Sequence, residues 1–72
     1  MEVAEKIRMY MDRNGITQAH VSRKTGISMP KLNLALNGKR RFTFEEYEAI
    51  CWALGVGVET FLEPRAPQNL HQ

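Results

Sequence analysis

One local pattern occurs three times in the chain and constrains its fold more than any other feature. Each copy has an apolar residue, then a serine or threonine, then an apolar residue one helical turn later, and it ends at a glycine. A hydroxyl side chain caps a helix N-terminus, apolar residues on either side of the cap form a hydrophobic staple, and glycine supplies the left-handed residue that ends a helix. The pattern therefore predicts three short helices joined by tight turns. The copies are Ile16-Thr17 with Val21 and Gly26, Ile27-Ser28 with Leu32 and Gly38, and Phe42-Thr43 with Tyr47 and Gly55.

The two ends of the chain extend this plan to a compact all-α domain of five helices. Val3, Ile7 and Tyr10 share one face of a first helix that we expect from about Glu2 to Asn14. A short last helix is expected over 58–62. Residues 63–72 contain two prolines and little to bury, so they are expected to be a flexible tail or linker after a domain of residues 1–62.

The segment around Asn37-Gly38 also matches a different structure, a β-hairpin. Leu32, Leu34 and Leu36 alternate as in a strand, and Asn-Gly is a strong hairpin turn. The hairpin register would place these leucines opposite basic or polar residues, which leaves neither face able to form a core. We therefore expect a helix that ends at Asn37-Gly38, with Leu32, Ala35 and Leu36 buried and Leu34 exposed.

The charge is unevenly distributed along the chain. All eight acidic residues lie outside the segment from Arg13 to Phe44, which contains Arg23, Lys24, Lys31, Lys39, Arg40 and Arg41. An acid-free basic segment indicates an anionic partner, although a single basic cluster is often only a solvated face.

The length and composition of the chain bear on whether it has disulfides, a metal or cofactor site, a membrane span or an enzymatic site. Seventy-two residues make one small domain, and Cys51 is the only cysteine, so we expect no internal disulfide, no metal site and no cofactor. No apolar run is long enough to span a bilayer and no signal peptide is recognisable, so a cytoplasmic protein is expected. No glycine-rich phosphate loop or positioned nucleophile indicates an enzyme.

The central segment, TQAHVSRKTGISMPKLNLALNG, resembles the helix-turn-helix of the Cro and lambda-repressor-like (Xre-type) DNA-binding family. Ser22 is small where the second helix crosses, and Gly26 occupies the tight turn. The resemblance extends from Ile7 to about Leu62 and includes the LNGKR sequence that follows the second helix. It implies sequence-specific binding to double-stranded DNA by a transcriptional regulator of the phage or bacterial repressor type. The alternative is a protein-interaction module, such as an antitoxin or regulator subunit, that keeps the fold without strong DNA binding.

The family resemblance also implies roles for individual residues, because the second helix of the motif enters the major groove and the first crosses the backbone. Phosphate contacts are expected from Thr17, Gln18, Asn37, Lys39, Arg40 and Arg41. Base contacts are expected from Ser28, Met29, Pro30, Lys31, Asn33 and Leu34.

Two features of the second helix depart from the family or leave alternatives open. Glutamine and serine are frequent where Met29 and Pro30 stand, and neither of these side chains makes a bidentate contact to a base. Leu34 is either an ordinary surface leucine or an apolar contact to a thymine methyl group.

A domain this small covers only a half-site, so we expect a homodimer on a palindromic operator. The alternative is that this chain is only the DNA-binding part, dimerises through a further domain and is monomeric by itself. Candidate contacts are Trp52, Val58, Phe61 and the tail after Leu62. Trp52 alternatively lies flat against the fifth helix or the tail.

Overall fold

The computed structural model describes residues 3–62, which form four helices and no strand. The helices are α1 (Val3–Asn14), α2 (Gln18–Thr25), α3 (Met29–Leu36) and α4 (Phe44–Leu54). The prediction of an all-α fold is confirmed, as are these four helices to within a residue or two at their ends. Glu2 and the expected tail over 63–72 lie outside the described residues.

The helix ends have the predicted cap chemistry. The hydroxyl oxygens of Thr17 and Ser28 accept hydrogen bonds from backbone N–H groups in the first turns of α2 and α3. Thr43 and Glu46 form a complete capping box at the start of α4. Gly26 has a φ of 79°, in the left-handed region where glycine meets no Cβ penalty. Local sequence therefore determines where these helices begin and end.

The predicted fifth helix is wrong, because residues 58–61 form turns instead. The Thr60 N–H donates to the Gly57 carbonyl at 3.1 Å, and the Leu62 N–H donates to the Glu59 carbonyl at 3.2 Å. Both bonds span three residues, whereas an α-helical bond spans four. A segment this short does not repay the cost of helix nucleation, and β-branched Val58 and Thr60 lower its helix propensity further.

The core draws side chains from all four helices and from the final turn. α2 packs on α3 and α4, and α1 packs on α3. Phe61 is only 4% exposed, and its ring meets that of Tyr10 edge to face with centroids 5.6 Å apart. Phe61 therefore belongs to the core, and its predicted place in a subunit contact is wrong. The cluster comprises Ile7, Met11, Val21, Leu32, Leu36, Tyr47, Ile50, Cys51, Leu54 and Phe61.

Candidate nucleic-acid interface

Side-chain hydrogen bonds determine the geometry of the turn between α2 and α3. The Ser22 hydroxyl donates to the Ile27 carbonyl at 2.6 Å. The Thr25 hydroxyl donates to the Val21 carbonyl at 2.8 Å and accepts from the Ile27 N–H at 3.1 Å. Ser22 is therefore more than a small residue at a helix crossing, because its hydroxyl connects α2 to the turn. These bonds hold α3 at a fixed angle to α2.

The first turns of α3 present all the predicted base-contacting side chains to solvent. Leu32, Ala35 and Leu36 are buried, as predicted, while Leu34 is 44% exposed. With 3.6 residues per turn, Pro30 and Leu34 lie on the side of the helix opposite this buried stripe. The exposed residues at the start and outer side of α3 are Ser28, Met29, Pro30, Lys31, Asn33 and Leu34.

A side-chain hydrogen bond connects the predicted phosphate site to the predicted base-reading surface. The Asn33 amide nitrogen donates to the Gln18 side-chain oxygen at 3.4 Å. The sequence interpretation treated Gln18 and Asn33 as independent contacts. Nothing in their spacing along the chain indicates the pairing, which arises only when α3 crosses the start of α2.

The N-terminus of α2 adjoins this surface at the Gln18–Asn33 bond. Thr17 caps the helix by accepting from the His20 N–H at 3.1 Å, and the first backbone N–H groups of a helix have no intrahelical acceptor. Arg8 of α1 lines the same surface depression as Thr17 and Gln18, together with Glu5 and Asp12. Arg8 lies outside the acid-free segment, so nothing in the sequence indicated that it lies beside Thr17 and Gln18.

The segment between α3 and α4, residues 37–43, is called here the exit loop. Two hydrogen bonds connect the start of the loop to α3. The Asn37 side-chain amide donates to the Asn33 carbonyl at 2.9 Å, and the Lys39 backbone N–H donates to the Leu34 carbonyl at 2.8 Å. Lys39 and Arg41 are exposed, and within residues 3–62 their side chains make no hydrogen bond or ion pair. Two cationic side chains therefore project from a loop with a defined backbone.

Arg40 differs from its two basic neighbours in the exit loop. Its guanidinium donates to both carboxylate oxygens of Glu46, at 3.1 and 3.2 Å. The same carboxylate accepts from the Thr43 N–H at 2.9 Å. The Arg40 guanidinium and the Thr43 N–H hold the pKa of Glu46 below its ordinary value. Glu46 is therefore a charged brace between the exit loop and α4, and Arg40 already has an acidic partner.

Trp52 and Cys51, both in α4, lie outside this surface. Trp52 is 66% exposed, and Lys24 Nζ of α2 lies 5.0 Å from its ring centre, within cation–π range. Cys51 is a free cysteine buried in the core, where it packs as a small apolar side chain. Burial raises the pKa of the Cys51 thiol, and it raises the pKa of the neighbouring Tyr47 phenol to about 12.

Residues 3–62 bring together no group of three or more His, Cys, Asp or Glu side chains arranged to hold a metal ion. Within the same range, the helices are too short and too polar to cross a bilayer.

Comparison with known families gives an independent result. A family model described as a Cro/C1-type HTH DNA-binding domain matches residues 6–67. Searches of curated proteins and of solved structures gave no significant match. The matched segment contains most of α1, the whole of α2, α3 and α4, and the exit loop.

Proposed function

Because the chain belongs to the family of Cro/C1-type helix-turn-helix DNA-binding domains, we propose that it binds specific double-stranded DNA sequences as a transcriptional regulator of the phage or bacterial repressor type. Membership of this family supports DNA-binding transcription regulation in general. The observation that carries the proposal is the exposed start and outer side of α3, whose Asn33 bonds Gln18 at the α2 N-terminus and whose C-terminus continues into the cationic exit loop. The segment that forms this surface, from α2 to the exit loop, contains no acidic residue.

In the proposed complex, α3 enters the major groove and α2 crosses the backbone beside it. Thr17 and Gln18 contact phosphate near the α2 N-terminus, where unpaired N–H groups and the helix dipole favour an anion. The exit loop contacts phosphate at the other end through Asn37, Lys39, Arg40 and Arg41. Base edges are read from the outer side of α3, by Ser28, Met29, Pro30, Lys31, Asn33 and Leu34.

Arg40 has a double role in this proposal. Two of the five N–H donors of its guanidinium go to Glu46, which leaves the others for a phosphate oxygen. Because the carboxylate already neutralises part of its charge, Arg40 contributes less to phosphate binding than Lys39 or Arg41. Its larger contribution is to hold the exit loop against α4.

We propose further that the domain acts as a homodimer on a palindromic operator. An eight-residue recognition helix reaches only a few base pairs, and two-fold dimers extend the site by reading half-sites about 34 Å apart. With Phe61 in the core, the candidate contacts that remain are Trp52, Val58 and the tail after Leu62. Trp52, Val58 and Leu62 are large apolar side chains that stay exposed in the monomer.

Selection of bound duplexes from a random library tests the proposed function. We expect one enriched motif with two-fold symmetry, and light scattering should give two protein chains per selected duplex. Lys31→Ala and Asn33→Ala should each relax base preference at particular positions, at a cost of about 1–3 kcal/mol. Failure to bind any duplex at low salt would instead favour the protein-interaction module. A single chain on an asymmetric site would refute the dimer.

A further inference from the structure

A groove lies where the exit loop meets the start of α4. Its walls come from the start of α1, the end of α3, the exit loop with the first turn of α4, and the final turn. We call this depression the loop groove, and its apolar lining includes Val3, Phe42, Phe44, Tyr47 and Leu62. Its volume is about 580 Å³, within the range of about 300–1,000 Å³ that small-molecule sites occupy.

The fold leaves much of the apolar wall of the loop groove open. Phe44 is 62% exposed and Leu62 is 48% exposed. The Phe44 ring is tilted against that of Tyr47, with centroids 6.4 Å apart. The Tyr47 hydroxyl donates to the Val58 carbonyl, so Tyr47 offers ring area to the groove and not its phenol. Covering this apolar area with an apolar chain removes it from water, which favours binding.

A positive charge without an acidic partner in residues 3–62 stands beside this apolar wall. Arg40 and Arg41 both line the loop groove, but Arg40 donates to both carboxylate oxygens of Glu46. Arg41 is exposed, and its side chain makes no hydrogen bond or ion pair within the described residues. The described lining includes no acidic residue. The loop groove therefore matches a molecule with an apolar chain and one anionic head group.

We propose that the loop groove binds an amphiphilic monocarboxylate, a free fatty acid of medium chain length, with its chain against Phe44 and Leu62 and its carboxylate on Arg41. The guanidinium fork of arginine matches the two oxygens of a carboxylate. A protein partner is disfavoured, because a stable interface needs about 800 Å² on each partner, more than the groove exposes.

Arg41 connects the loop groove to the proposed DNA interface. Because Arg41 is also a proposed phosphate contact, a carboxylate bound to it competes with the DNA backbone for the same side chain. The ligand should therefore act as an effector that weakens DNA binding. This effect rests on the proposed function, whereas binding of the ligand does not.

Decanoate, kept below its micelle concentration, is the probe, and two-dimensional NMR of the protein locates its contacts. We expect saturable shifts at Phe44 and Leu62, and each methylene added from octanoate to decanoate should tighten binding by up to about fourfold. Arg41→Ala should weaken decanoate binding by up to about fivefold and leave the binding of decanol, which has no charge, unchanged. Lys39→Ala is the matched control, because Lys39 is an exposed cation of the same loop that does not line the groove.

A second arm measures duplex binding at constant ionic strength. Decanoate should weaken duplex binding by the unaltered protein. Phe44→Ala, with its fold checked by circular dichroism, should bind duplex normally without decanoate and lose most of the decanoate effect. Decanoate binding that leaves duplex affinity unchanged overturns the competition at Arg41.

Other outcomes overturn the groove itself. Absence of shifts at the groove, or equal binding of decanol and decanoate, contradicts the carboxylate site. Binding to anionic vesicles without binding of monomeric decanoate assigns the surface to a membrane instead. Groove shifts that follow protein concentration without any ligand assign it to a second copy of the chain. Decanoate binding by a protein that binds no duplex at low salt supports the groove and refutes the proposed function alone.

Discussion

Replacing Glu46 with alanine removes the brace between the exit loop and α4. The substitution deletes the acceptor for the Thr43 N–H at 2.9 Å and both bonds from the Arg40 guanidinium. The backbone bond contributes about 0.5–1.5 kcal/mol. The ion pair is partly exposed, with side-chain exposures of 27% for Arg40 and 18% for Glu46, and it adds about 0.2–1 kcal/mol. We therefore expect Glu46→Ala to lower the free energy of unfolding by about 1–2 kcal/mol.

The pH dependence of this loss follows from the lowered pKa of Glu46. Because the folded-state pKa lies below the ordinary value of 4.5, the carboxylate stabilises the fold fully above that pH. This stabilisation is lost as the pH falls through the folded-state pKa. The difference in stability between the unaltered protein and Glu46→Ala should therefore be largest near neutral pH and close in acid.

Thermal unfolding followed by circular dichroism measures the effect, with about 4–8 °C in Tm for each kcal/mol in a domain of this size. Glu45→Ala is the matched control, because Glu45 is an exposed acid in the same first turn and its loss should cost less than about 0.5 kcal/mol. Equal losses for the two variants at pH 7 would refute the brace. A Glu46→Ala difference that persists unchanged at pH 3 would refute its electrostatic part.

Two further predictions concern the core. Phe61→Ala should cost about 3–5 kcal/mol in chemical denaturation of the monomer, because Phe61 is 4% exposed; a stable variant that fails only to dimerise would restore Phe61 to the subunit contact. Tyr47→Phe should remove part of the alkaline destabilisation, since a phenol pKa raised from 10 to about 12 stabilises the fold below pH 10 and stops doing so as the pH rises toward 12. Identical stability profiles for Tyr47→Phe and the unaltered protein between pH 9 and 12 would contradict this.

The ends of the helices were predictable because they depend on neighbouring residues. Thr43 and Glu46 are three positions apart, and their reciprocal bonds form wherever the chain turns into a helix. Ser28 caps α3 for the same reason, while the hairpin at Asn37-Gly38 was excluded by its register, which left neither face able to form a core. The segment over 58–62 lacked such a signal. The observed turns bury Phe61 without a helix.

Contacts between distant segments were not predictable from the sequence. The Gln18–Asn33 bond joins residues fifteen positions apart, and it depends on the crossing of α2 and α3. Arg40 appeared equivalent to Lys39 and Arg41, but the start of α4 brings Glu46 next to it alone. Trp52 was expected against the fifth helix or the tail, or at a subunit contact. Lys24 Nζ of α2 lies 5.0 Å from the centre of its ring, a contact that requires the packing of α2 on α4, and the subunit contact remains a proposal.

The salt dependence of duplex binding tests most directly whether the proposed interface holds the DNA backbone. The logarithm of the association constant should fall linearly with the logarithm of salt concentration, with a slope of about −0.9 for each neutralised phosphate. Lys39→Ala and Arg41→Ala should each make the slope shallower by about one. Arg13→Ala removes the same charge from a site beside Thr60 and Phe61 and should leave the slope unchanged. Equal slopes for all four proteins, or binding that does not respond to salt, would contradict the proposed interface.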